Sequence, residues 1–129
     1  MKLYVWEPGT EETRTRLGGA TMVATSRVSY PEARAALARR QREGAITRRA
    51  LTRAVSGLDR DLERYVVVEL SPKVARRAGE LAERRVLRGL DAIHLASALE
   101  VEELTGLVPS FCCFDGRLRE AASAEKLST

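Results

Sequence analysis

Tyr65-Val66-Val67-Val68-Glu69-Leu70-Ser71-Pro72 decides the fold class. Its first six residues are mostly β-branched and apolar, the composition of a strand. Ser71-Pro72 then marks a helix start. The serine side chain can cap free backbone N–H groups, and a proline at the first helical position has no needed N–H to lose. A strand feeding directly into a helix, here ending near Arg85, is the repeating unit of an α/β domain with a parallel sheet. Downstream, Arg88-Gly89 breaks the chain and Asp91 opens a helix through Ala92-Ile93-His94-Leu95-Ala96-Ser97-Ala98-Leu99 to Leu104. That helix is too apolar for a surface position and is expected to be buried. Residues 108–114 read as a strand, and Asp115-Gly116 turns into a last helix over 117–126.

Upstream, residues 22–25 read as a short buried strand. A helical pattern covers 27–42 and closes at Glu43-Gly44, and Thr47 caps a second arginine-rich helix to about Glu63. Leu3–Trp6 is a short apolar piece ending at the turn Glu7-Pro8-Gly9. Thr10-Glu11-Glu12 then opens a short helix that ends at Gly18-Gly19. Only three of these segments are credible strands, too few for the helices that must cover them. A strand is therefore expected to be missing, and the abrupt opening at Met1 is where it would stand. No linker or repeat divides the chain, so residues 1–129 are expected to form one domain.

The composition, 44% hydrophobic and 31% charged over 129 residues, excludes a disordered or fibrous chain. No stretch approaches a membrane span, the first residues lack a signal-peptide pattern, and two adjacent cysteines cannot staple a secreted scaffold. The cytosol is the expected compartment. The net charge is +4, and all but Lys2, Lys73 and Lys126 of the 22 basic residues are arginines. That bias suits a GC-rich genome as well as phosphate recognition.

Three acids stand out by position. Glu32 lies in the first turns after the strand at 22–25, Asp91 opens the buried helix, and Asp115 follows the last strand. In an open α/β sheet, ligands collect beyond the carboxyl ends of the strands. Carboxylates converging there need a cation, and oxygen ligands without Cys or His favour Mg²⁺ or Mn²⁺ over Zn²⁺. Such a site suits metal-assisted phosphodiester cleavage. Each acid also has a purely structural reading: Asp91 and Asp115 as N-caps, and Glu32 as the reciprocal acid of a Ser29-Tyr30-Pro31-Glu32 capping box. His94, one turn from Asp91, reads either as a satisfied core residue or as a group orienting Asp91 or binding substrate. Cys112-Cys113 read as buried inert thiols. The arginines of 34–53 fit either a solvated helix face or a phosphate-tracking one. No P-loop, dinucleotide fingerprint, nucleophile elbow or zinc spacing is present.

The series Tyr4-Val5-Trp6-Glu7-Pro8-Gly9, Ala24-Thr25-Ser26 with Glu32-Ala33-Arg34, Arg88-Gly89-Leu90-Asp91-Ala92-Ile93-His94-Leu95-Ala96, and Phe114-Asp115-Gly116-Arg117-Leu118 resembles PIN-domain proteins of the VapC toxin family. The likeness covers nearly the whole chain. It implies a three-layer α/β/α fold with a parallel sheet. It also implies a Mg²⁺- or Mn²⁺-dependent ribonuclease acting as the toxin of a type II toxin–antitoxin pair, commonly a homodimer held by a small antitoxin.

Family members carry four acids; Glu32 matches the second, Asp91 the third and Asp115 the fourth. The first, which ends the central strand of similar proteins, has no counterpart. The resemblance places Leu3–Trp6 in the helix after that strand, so the central strand itself is expected to be absent. Glu7, Glu11 and Glu12 would then stand about 10 Å or more from the vacant position. A misassigned start and a shortened, inactive copy that only binds antitoxin or RNA both account for the gap. On either account a chain with three acids is expected to be a poor nuclease.

Overall fold

The computed structural model describes residues 3–6, 22–107, 110–112 and 116–127. Four strands, β1 (Leu3–Trp6), β2 (Met22–Ser26), β3 (Val66–Val68) and β4 (Ser110–Cys112), form one parallel sheet in the order β3-β2-β1-β4. The described helices are α1 (Ser29–Arg42), α2 (Arg48–Arg64), α3 (Pro72–Arg85), α4 (Gly89–Thr105) and α5 (Gly116–Ala124). The α/β class with a parallel sheet is therefore as expected from the strand-to-helix junction at 65–72.

The central place of the sheet is occupied, and the expectation of a missing central strand is not confirmed. Leu3–Trp6 lies between β2 and β4, with Trp6 opposite both Thr25 and Cys112. The resemblance had put this segment in a helix. A run of Leu-Tyr-Val-Trp has strong β preference, and a strand between two parallel neighbours can use its N–H and C=O groups on both sides. The 10 Å separation assigned to Glu7 rested on the helical reading and no longer applies. Glu7, Glu11, Glu12 and the helix expected after Thr10 lie outside the described residues.

Elsewhere the local chemistry sets the boundaries. The Ser71 hydroxyl accepts from the Val74 N–H, and Pro72 occupies the first turn of α3. Thr47 accepts from the Ala50 N–H and so caps α2. Gly44 and Gly106 take positive φ just beyond α1 and α4, where a side chain would be strained. The strand expected over 65–70 shortens to Val66–Val68. Beyond it the Arg27 N–H still donates to the Val68 carbonyl, and the Arg27 guanidinium grips Glu69.

α4 is the buried helix that its composition foretold. Ala92, His94, Leu95, Ala96, Ser97, Ala98 and Val101 are all buried. Alanines and a serine let it approach α3, β2 and β3 closely, and Leu81, Leu95 and Leu118 fill the core between helices. Each such leucine contributes roughly 1.5–3 kcal/mol through removal from water. No helix among the described residues is long and apolar enough to cross a membrane.

Candidate metal centre

The strand order places a reversal between β1 and β4: the chain moves outward through β2 to β3, then crosses to the opposite edge for β4. A crevice at the carboxyl ends beside such a reversal is where α/β sheets bind ligands. Two of the three acids are described, and both sit in the first turn of a helix, Glu32 in α1 and Asp91 in α4.

Neither acid performs the capping role that its sequence allowed. Val28 is the N-cap of α1 and has no side-chain cap bond. Ser29 is buried, and its hydroxyl accepts from Thr25 Oγ1 at 2.7 Å. The Glu32 carboxylate instead meets His94, with 2.5 Å between Oε1 and Nε2. Likewise Arg88, not Asp91, is the N-cap of α4. Asp91 is the third residue of the helix, and its Oδ2 accepts from Arg88 Nε at 3.3 Å.

The Glu32–His94 contact ties α1 to α4 across 62 positions of sequence. His94 is only 1% exposed and Glu32 33%. With the carboxylate ionised, the proton in the contact belongs to His94 Nε2, which donates to Oε1. The His94 Nδ1 is buried with no hydrogen-bond partner among the described residues. His94 and Asp91 are three positions apart, one turn of the same helix, so the contact brings Glu32 to the face of α4 that carries Asp91. Asp91 is 17% exposed on its side chain, accessible yet partly desolvated.

Asp115 lies outside the described residues; the last described residue of β4 before it is Cys112. Among the described residues, no three His, Cys, Asp or Glu side chains form a ready metal cluster.

The donor chemistry fits a hard divalent cation. Glu32 Oε2 and Asp91 Oδ1 are not taken by the contacts above, and the neighbouring buried side chains Thr25, Ser26 and Ser29 are hydroxyls. Oxygen-only sets of this kind suit Mg²⁺ or Mn²⁺. His94 is buried and hydrogen-bonded, as a core histidine would be, and its partner Glu32 was not legible from sequence. The imidazole stands one turn from Asp91 in an otherwise apolar helix, but only the packing of α1 on β2 brings Glu32 to it.

Comparison with known proteins identifies the family of the chain. The model of the PIN domain family matches residues 1–122. Ribonuclease VapC45 of Mycobacterium tuberculosis (strain CDC 1551 / Oshkosh) is 39% identical over 128 residues, covering 96% of this chain and 84% of that protein. Ribonuclease VapC49 of Mycobacterium tuberculosis (strain ATCC 25618 / H37Rv) is similar to the same extent. A parallel sheet, acids in the first turns of two helices, and a family match over nearly the full length converge: the chain belongs to the PIN-domain family, in its VapC branch.

Proposed function

We propose that this protein is a metal-dependent endoribonuclease, the toxin of a type II toxin–antitoxin pair, built as one three-layer PIN-like domain. The observation that carries the reading is the pairing of Glu32 with buried His94 one turn from Asp91, in a chain related to VapC ribonucleases. Glu32, Asp91 and Asp115 are the proposed ligands and catalytic acids. When bound, Mg²⁺ or Mn²⁺ supplies the charge that offsets the phosphodiester and activates the attacking water. Glu32, held by His94, keeps one oxygen for the cation. Asp91 offers its Oδ1, while Arg88, exposed beside it, is placed to meet the phosphate of the RNA. The proposed partners are RNA and an antitoxin, with a homodimer as the working unit in the cytosol.

The second reading is a PIN-like module that binds antitoxin or RNA without cutting. It rests on the resemblance alone, in which the family's first acid has no match in this sequence. The test is cleavage of single-stranded or looped RNA by the 129-residue chain with Mg²⁺ or Mn²⁺ and with a chelator. Metal-dependent cleavage that Asp91→Asn lowers by about 10²-fold or more supports the nuclease. Binding of RNA with no cleavage under either metal supports the inactive module.

A further inference from the structure

The acid pole carries a second feature that the proposed chemistry does not use. α1 starts at the carboxyl end of β2, and α2 returns antiparallel to it through the short connection at 43–47. Tyr30 near the start of α1 donates to Asp59 of α2 at 2.7 Å, which puts residue 59 level with the carboxyl edge of the sheet. The five steps from residue 59 to residue 64 descend about 8 Å. That is enough to reach the foot of the three-residue strand β3. Everything in α2 before residue 59 therefore stands beyond the carboxyl edge. The hairpin is an arm, rising about 18 Å from Tyr30 to Arg42. It buries little: Ser29 is the only buried residue of α1 and Leu58 the only one of α2.

Arg39, Arg40, Arg42, Arg48 and Arg49 are clustered at the tip, with Glu43 the only acid between them. All five are exposed, and none has an ion pair or hydrogen bond from its side chain to a described residue. Three of the four arginines of α3 are arranged differently: Arg77 binds Glu103, and Arg84 and Arg85 both bind Glu125. A genome-wide taste for arginine does not distinguish these faces. The three on α1 suit the negative end of their helix, but Arg48 and Arg49 stand in the first turn of α2, where no acid is present and the helix dipole opposes them. Arg39 also lies two turns from Glu32 on the same side of α1, about 10 Å along the axis, and Arg42 about 15 Å along it.

We propose that the tip of the α1–α2 arm is the dock for the phosphate backbone of the RNA whose cut phosphate lies at Glu32 and Asp91. Guanidinium forks match phosphate oxygens, and their spacing along α1 would hold the strand a few nucleotides from the acids. The identification of the ligand as a substrate rests on the ribonuclease reading.

The test is binding of a fluorescent 12-nucleotide single-stranded RNA to the full chain in chelator, across a salt series. Arg39→Gln/Arg42→Gln/Arg49→Gln is compared with Arg60→Gln/Arg64→Gln/Arg76→Gln, which removes the same charge elsewhere. The arm variant should bind at least about tenfold more weakly, and its slope of log affinity against log salt should be shallower by about 2, at roughly 0.7 per lost phosphate contact. The control should match wild type within about twofold, and melting temperatures should agree among all three. With metal, the arm variant should show a raised KM on the 12-mer and unchanged turnover of a dinucleotide, which is too short to reach the tip.

Equal affinity and slope in the arm variant and control would overturn the dock. So would equal losses on dinucleotide and 12-mer, or a lost affinity for an acidic protein partner with RNA binding intact. If wild type shows the arm-dependent slope yet cuts nothing with Mg²⁺ or Mn²⁺, the ribonuclease reading fails and the dock stands as the RNA contact of a binding module.

Discussion

His94 holds a carboxylate that the sequence had given to a different task. The Ser29-Tyr30-Pro31-Glu32 pattern fits a capping box, yet Ser29 turns inward to Thr25 and Glu32 reaches His94. Removing the imidazole should free Glu32 to swing toward solvent without opening the fold. We expect His94→Leu to lower Mg²⁺-dependent RNA cleavage by about 10–100-fold, the usual size of an effect exerted through a metal ligand. His94→Gln, whose amide N–H can reach the same oxygen, should recover part of the loss. Cleavage by His94→Leu equal to wild type would show that Glu32 needs no such support. At this scale the sequence was informative about residue type and poor about partners. Glu32 and Asp91 could be singled out because acids at the starts of helices are easily located. Their structural alternatives could be discarded only once the true N-caps, Val28 and Arg88, were known.

Between elements, α3 and α4 are clamped by charge as well as by their apolar faces. Lys73 and Arg77 of α3 both donate to Glu103 of α4, and Lys73 also approaches Glu100 at 3.3 Å. The bond from Lys73, then that from Arg77, pulls the Glu103 carboxyl down from its ordinary 4.5 to about 2. A carboxyl with a lowered folded-state pKa stabilises the fold fully above its unfolded value and loses that stabilisation as pH falls through the folded one. The melting temperature should therefore decline as pH falls from about 4.5 to about 2, in part through this group. Glu103→Gln should melt lower at neutral pH and show a shallower decline across that window. Parallel profiles for variant and wild type would mean that the clamp is spent on solvent. The capped starts of α2 and α3 and the burial of α4 were legible because each follows from local composition. β1 was not: four residues are too few for periodicity to separate strand from helix, and its place is fixed by β2 and β4, which flank it.

Among the described residues, Glu32, His94 and Asp91 come together on a scaffold whose sheet is ordered β3-β2-β1-β4. Strand order is a long-range property, so the sequence could indicate a parallel sheet but not which strand lies inside it. The same limit applies to the arginines of 34–53. Their number is plain in the chain, while their position on an arm above the acids emerges only from the antiparallel return of α2. We propose that Glu32, Asp91 and Asp115 serve one divalent ion. The most direct measurement is a Mn²⁺ titration of the wild-type chain and of Glu32→Gln, Asp91→Asn and Asp115→Asn, read from the electron paramagnetic resonance of free Mn²⁺. We expect a single site in the wild type, weakened by about tenfold or more in each variant, because each removes an oxygen from the same ion. Wild-type affinity in any one of the three would remove that residue from the site, and wild-type affinity in both Glu32→Gln and Asp91→Asn would mean that no such shared metal site exists.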